Sequence, residues 1–155
     1  MKTLIVVSDS HGRKKLLDKI TPLVKENDYI IHLGDGAGDL HDIMHEYPEK
    51  TYLLKGNCDA LAFEEECVIQ AEGISILCCH GHKYGVKSGL SRLAYRAKEL
   101  DCEVALYGHT HRASIEEVGG VLCITPGSAG SYSDPSYCYF VVHNKKPTAT
   151  IVSLI

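Results

Sequence analysis

Apolar residues in this chain come in short, nearly continuous runs, and most runs end in a small polar cluster. Residues 2–7, 29–33, 51–55, 74–79 and 104–107 are such runs. Their length and lack of alternation predict strands buried on both faces. Between them the spacing changes. Leu16, Leu17, Ile20, Leu23 and Val24 recur at helical intervals within residues 13–27, where Pro22 predicts a kink or a split. A short helix is expected over residues 39–47, with Asp39 as its N-cap and Pro48 as its stop. Leu90, Leu93, Ala94 and Ala97 predict another over residues 86–99. Residues 64–71 and 74–79 flank Glu72-Gly73 and predict a hairpin. From residue 113 the pattern is all strand: 114–118, 121–125, 137–143 and 148–153. Gly119-Gly120 and the segment from Asn144 to Pro147 make the turns. Residues 127–135, rich in Gly, Ser and Pro, read as a surface loop. An alternating first part and an antiparallel last part predict a mixed α/β (α+β) fold, two packed sheets with helices outside. The length, 155 residues, predicts a single domain over 1–155.

Composition narrows this picture. The net charge is −4 and no block of basic residues stands out, so a nucleic-acid surface is not expected. A small anionic substrate remains compatible, because bound metal ions supply local positive charge. The first apolar run is too short and too soon interrupted for a secretory or membrane segment. The seven cysteines include no Cys-x-x-Cys pair. They are expected to be free thiols, mostly small core residues, in a reducing cytoplasmic setting with no membrane contact.

The candidate chemistry lies in the clusters that end the runs: Ser8-Asp9-Ser10-His11-Gly12, Gly34-Asp35-Gly36, Gly56-Asn57-Cys58-Asp59, His80-Gly81-His82 and Gly108-His109-Thr110-His111. Strand ends are where α/β folds place their sites. Residues two apart at an extended strand end point to one side, so Asp9 and His11 can reach one ion; His80 and His82, and His109 and His111, have the same spacing. Asp9, His11, Asp35, Asn57, His80, His109 and His111 make seven candidate ligands. One four-coordinate ion leaves several unused, whereas two ions sharing a carboxylate use them all. His41 and His45 lack a third ligand and read as a solvated helix face. His32, inside a strand, reads as a satisfied core histidine.

These motifs, in this order, resemble the calcineurin-like metallophosphoesterase superfamily. Its pattern is Asp-x-His, Gly-Asp, Gly-Asn-His-Asp/Glu, His, then Gly-His-x-His. The match runs from Asp9 to the Thr125–Ser128 segment, and the small size resembles the compact YfcE-type phosphodiesterases. The resemblance implies a four-layer αββα sandwich with two mixed sheets. It implies that Asp9, His11 and His111 hold one ion, that Asn57, His80 and His109 hold a second, and that Asp35 bridges them. Mn is the favoured metal, with Ni, Fe or Zn as alternatives. It implies a water activated between the ions that attacks phosphorus in line, on a phosphodiester or a phosphomonoester. A homo-oligomer is compatible with the family. This chain departs from the pattern at Cys58, where many relatives carry His. Cys58 then reads as a small buried residue, and proton donation passes to bound water, Asp59 or His82. His82 reads as a substrate or ligand-supporting contact or as a solvent-facing residue. Asp59 reads as a ligand-orienting or turn-stabilising residue. Ser10, Arg13 and Ser128 are candidates for phosphate contact or surface positions. A second reading is a binding scaffold, since a eukaryotic retromer subunit looks similar in fold but lacks the full ligand set.

Overall fold

The computed structural model describes residues 1–60 and 63–155. In chain order the elements are β1 (Lys2–Val7), α1 (Lys14–Leu17), α2 (Thr21–Val24), β2 (Tyr29–His32), α3 (His41–Glu46), β3 (Thr51–Leu53), β4 (Glu66–Ala71) and β5 (Ile74–Cys79). They continue with α4 (Ser91–Glu99), β6 (Val104–Leu106), β7 (Ser114–Val118), β8 (Val121–Thr125), β9 (Ser136–His143) and β10 (Lys146–Ser153). Two five-stranded sheets result, in the orders β10-β9-β1-β2-β3 and β4-β5-β6-β8-β7.

The continuous apolar runs are explained by burial on two sides. In β1, Leu4 and Val6 face the space between the sheets, while Ile5 and Val7 face the layer holding α1, α2 and α3. In β5, Ile76 and Cys78 face between the sheets, while Leu77 and Cys79 meet Leu93, Ala94 and Ala97 of α4. The order is therefore helix, sheet, sheet, helix. Phe140 is the largest fully buried side chain of the central layer. Each fully buried large side chain of this kind contributes about 1.5–3 kcal/mol.

The parallel pairs position the site. Val7 pairs with His32 and His32 with Leu53, so β1, β2 and β3 end at one edge. Cys78 pairs with Leu106 and Leu106 with Ile124, so β5, β6 and β8 also end together. The polar clusters follow these ends and meet where the sheets' carboxyl edges face each other.

Several expectations change. Pro22 does split residues 13–27, and it sits in the first turn of α2, where a missing N–H is harmless. The helix expected from residue 86 begins at Ser91, because Gly85 (φ +61°) and Gly89 (φ +145°) leave helical space. The strand expected from residue 64 begins at Glu66. Asp39 caps no helix; it sits in a 3₁₀ turn, and its carboxylate receives the Gly12 N–H and the Ser10 hydroxyl. The surface loop over 127–135 is half interior, since residues 127–130 are buried. There the Ala129 N–H donates to Ser8 O and the Ser128 hydroxyl to Asp9 O, which satisfies buried backbone.

Candidate metal centre

Five of the seven candidate ligands turn the chain through left-handed backbone: Asp9 (φ +53°), His11 (+46°), Asp35 (+59°), His109 (+74°) and His111 (+64°). Each such residue costs roughly 1–2 kcal/mol against ordinary backbone, least for Asp and His. Glycine lets the motifs interlock. A Cβ on Gly34 would stand 2.6 Å from Gly56 N and 2.8 Å from His80 Nδ1. A Cβ on Gly56 would strike Asp35, and one on Gly108 would strike Ser8 and Asp9.

Asp9 is fully buried. Its Oδ2 accepts the Ser8 hydroxyl at 2.5 Å and the His109 N–H at 3.0 Å. Its Oδ1 is buried without any hydrogen-bond partner among the described residues. That orphan oxygen faces three imidazole nitrogens, His111 Nε2 at 3.2 Å, His11 Nε2 at 3.7 Å and His80 Nε2 at 3.9 Å. Asp35 Oδ2 lies 3.3 Å from His80 Nε2 and 3.9 Å from His11 Nε2, while its Oδ1 accepts the Cys58 N–H at 2.7 Å.

The ligand atoms of Asp9, His11 and His111 all fall within 4.8 Å of one another, as do those of Asp35, His80 and His109. Asp35 also reaches His11, so it connects the two groups. His80 supplies the sharpest test of fit. Its Nδ1 lies 2.9 Å from Leu33 O, and a carbonyl can only accept, so Nδ1 carries the proton. Its Nε2 faces the Asp9 and Asp35 carboxylate oxygens and His109 Nδ1, 3.1 Å away. Acceptors converging in a buried site are stable with a cation between them. The residues fit divalent ions of the borderline type.

A supporting layer holds these ligands, and sequence reasoning found only part of it. The Gly34 N–H donates to His32 Nδ1 at 3.0 Å, which puts the His32 proton on Nε2, 2.8 Å from Ser10 Oγ. The Ser10 hydroxyl donates to Asp39 Oδ2 at 2.7 Å. Burial pushes His32 down to about 4. The expectation of a satisfied core histidine holds, and its partners link the Asp9 and Gly34 turns. No periodic signal marks this chain, because its members lie up to 29 residues apart.

Asp59 accepts three backbone N–H groups, from Asp35 (2.9 Å), Gly36 (2.9 Å) and Gly56 (2.8 Å). Burial alone would raise its pKa, but these donors outweigh it and hold the carboxyl below its usual range. Cys58 is exposed, not buried as expected, and its Sγ lies within 4.8 Å of the ligand atoms of His11 and Asp35. Partial desolvation and the Asp35 carboxylate push its thiol up. Asn57 is also exposed, with Nδ2 3.5 Å from Cys58 Sγ, and no hydrogen bond ties it to His80 or His109. His82 packs its ring 5.3 Å from His80 and 6.1 Å from His109, and its buried Nδ1 has no hydrogen-bond partner among the described residues. Burial and the neighbouring His80 lower its pKa. The side chains of Ser10, Arg13 and Ser128 are engaged internally, Arg13 through the Gly130 and Ser131 carbonyls.

Comparison with known proteins agrees with this geometry. The calcineurin-like phosphoesterase superfamily domain matches residues 1–146. A probable metallophosphoesterase of Bacillus subtilis, YsnB, is 39% identical over 127 residues, covering 81% of this chain and 73% of its own. A predicted phosphoesterase from Streptococcus pneumoniae superposes with a TM-score of 0.83 at 27% identity, covering 99% of this chain and 90% of that one. The fold alone is shared with two more distant structures. One is an archaeal phosphodiesterase (TM-score 0.74, 20% identity, 97% and 99% coverage). The other is zinc-bound Vps29 from Entamoeba histolytica (0.76, 22%, 99% and 99%). No helix of the described residues is long and apolar enough to cross a membrane. With its motif order, its two linked ligand groups and these relatives, the chain belongs to the calcineurin-like phosphoesterase superfamily.

Proposed function

We propose that this protein is a metal-dependent phosphodiesterase using two divalent ions, with Mn favoured. The observation that carries the reading is the orphan Asp9 Oδ1 facing three imidazole nitrogens, in a site where Asp35 joins two ligand groups. Two ions held there would supply Lewis acidity and lower the pKa of a water suited to attack on phosphorus. Asp9, His11 and His111 would hold one, and Asn57, His80 and His109 the other, with Asp35 common to both. Asn57, exposed beside Cys58, would have to turn its amide inward to join. Leu33 O fixes the His80 tautomer that presents Nε2. Ser8 and the His109 N–H turn Asp9 so that Oδ1 faces the site.

His82, neutral near pH 7 with Nδ1 unpaired among the described residues, is the side chain beside the second group that can take up a proton or orient a substrate oxygen. Asp59, ionised and filled by three backbone donors, keeps the Asp35 turn in place. Cys58, protonated near neutral pH, is dispensable. A cavity of about 420 Å³ beside His11 and His111 offers room for a second ester group, which favours a diester over a monoester. The phosphodiesterase named among the fold neighbours supports the same choice. All seven ligand positions are filled, which argues against a silent scaffold. Seven unpaired cysteines suit a reducing cytoplasm.

The test is metal analysis of the purified protein with turnover of bis(p-nitrophenyl) phosphate. Mn restores activity after chelation, and Cys58→Ala keeps most of it. A protein that neither binds metal nor turns over with Mn, Ni, Fe or Zn refutes the proposal.

A further inference from the structure

Tyr132 is the most exposed large hydrophobic side chain among the described residues, at 91%. It lines the cavity of about 420 Å³ that also contains His11, His111, Arg13 and Ser128. Two candidate metal ligands and an exposed aromatic ring thus share one concave surface. The ring is held from beneath. The Arg13 guanidinium carbon lies 4.1 Å from its centroid, and the same guanidinium donates to Gly130 O (2.9 Å) and Ser131 O (3.0 Å). The cation lies against the ring, which is otherwise exposed. A cation beneath the ring is favourable and fixes the plane without side-chain packing.

The loop is tied down on both sides of the tyrosine. Ser131 Oγ receives the Ser133 and Asp134 N–H groups and donates to Asp134 Oδ1 at 2.9 Å. Gly130 N–H donates to Asp9 O at 3.1 Å, and the Ser128 hydroxyl to the same carbonyl at 2.7 Å. The loop therefore keeps register with the Asp9 turn, and the ring with the ligand group. A loop that served only as a connection would need none of this, and an exposed tyrosine would be free to turn.

We propose that Tyr132 is a stacking platform for a planar aromatic group on the retained arm of the substrate, a nucleobase or an aryl ring carried on the ester group that is not displaced. The site takes the phosphorus at the His11–His111 side and lays the aromatic group on the exposed ring of Tyr132. The inference rests on the phosphoesterase reading above. It makes Tyr132 a specificity residue and Arg13 a positioning residue.

The test holds the leaving group constant. Methyl p-nitrophenyl phosphate, phenyl p-nitrophenyl phosphate and the p-nitrophenyl ester of thymidine 5′-phosphate all release p-nitrophenol. The wild type prefers at least one aromatic ester over the methyl ester in kcat/KM, and the arm that leads tells base from aryl ring. Tyr132→Ala shrinks that preference about 5- to 150-fold, the span of base–aromatic stacking. Tyr132→Phe keeps it, because the ring supplies the stacking surface. A preference that survives Tyr132→Ala, or no preference in the wild type, overturns the platform. A second readout does not need turnover. Calorimetric binding of adenosine 5′-phosphate and ribose 5-phosphate to the Mn-loaded protein differs only by the base. The base strengthens binding in the wild type and ceases to do so in Tyr132→Ala; equal binding in the wild type overturns the platform. Absence of turnover with every ester refutes the phosphoesterase reading, while the base effect on binding still decides the platform.

Discussion

Replacing Asp59 by Asn separates a residue that holds backbone from one that donates a proton. The carboxylate serves three N–H donors with two oxygens, Oδ2 taking Asp35 and Gly56 and Oδ1 taking Gly36. An amide has one oxygen. Placed at the Oδ2 position it keeps two bonds without their charge assistance, and it turns an NH₂ toward the Gly36 N–H. A stranded donor costs about 1–3 kcal/mol, and bonds to charge are worth more than neutral ones. Gly36 and Asp59 are only partly buried, so water recovers some of this, and the net loss is about 2 kcal/mol. With a urea slope of about 2 kcal/mol/M the midpoint falls by about 1 M. The loosened Asp35 turn weakens apparent Mn affinity, by about 10- to 100-fold for a residue that orients a ligand. The assay pairs urea unfolding of the chelated protein with an Mn titration of activity across pH. At saturating Mn the shape of the pH–rate curve is unchanged. If Asp59→Asn leaves stability and Mn affinity intact and removes only the alkaline limb of the curve, Asp59 is the proton donor and the reasoning fails.

Two further outcomes follow from the layer around the ligands. His32 is fully buried with a pKa of about 4 against 6.5 when unfolded, so the unfolded chain takes a proton first as pH falls. Its contribution is complete above pH 6.5 and is lost on descending to pH 4, about 3 kcal/mol in all. Between pH 7 and pH 5 the chelated wild type should therefore lose about 2 kcal/mol more than His32→Gln in urea unfolding; equal losses refute the assignment. Gly34→Ala forces a Cβ against Gly56 N and the His80 ring, and should cost more than about 3 kcal/mol along with metal binding. Gly12→Ala, with φ +84° and nothing within 4 Å, should cost only about 1–2 kcal/mol in thermal or urea unfolding. Similar losses for the two would mean that crowding at Gly34 is not what matters.

Strands were the most legible elements, because double-sided burial leaves an unbroken apolar run; β1, β5 and β8 have the bounds their patterns predict. Helix starts were harder. Leu90 and Leu93 announce α4, but Gly85 and Gly89 decide where it begins, through backbone angles that apolar spacing does not encode. The candidate ligand residues were visible because Asp, Asn and His crowd five strand ends. What joins them was not. Asp39 looked like a cap because caps are common before helices, and only the tertiary approach of Ser10 and Gly12 gives it other partners. Residues 127–130 looked like a surface loop by composition, yet small residues are also what allows a loop to thread against the backbone of Ser8 to Ser10. Cys58 was expected to be buried as an apolar thiol, but its neighbours in the turn leave it at the mouth.

The left-handed backbone at Asp9, His11, Asp35, His109 and His111 has a consequence for redesign. Asp, Asn and His are both borderline-metal donors and the non-glycine residues best tolerated at positive φ. At these five positions the two requirements select the same short list. Converting the centre to a thiolate-rich site for softer metals would therefore meet resistance before any metal arrives, since cysteine gains a soft donor but loses the backbone preference. On the proposed assignment, altering metal choice calls for changes at Asn57 and His80, the two candidate ligand positions outside left-handed backbone, rather than at the five turns that shape the site.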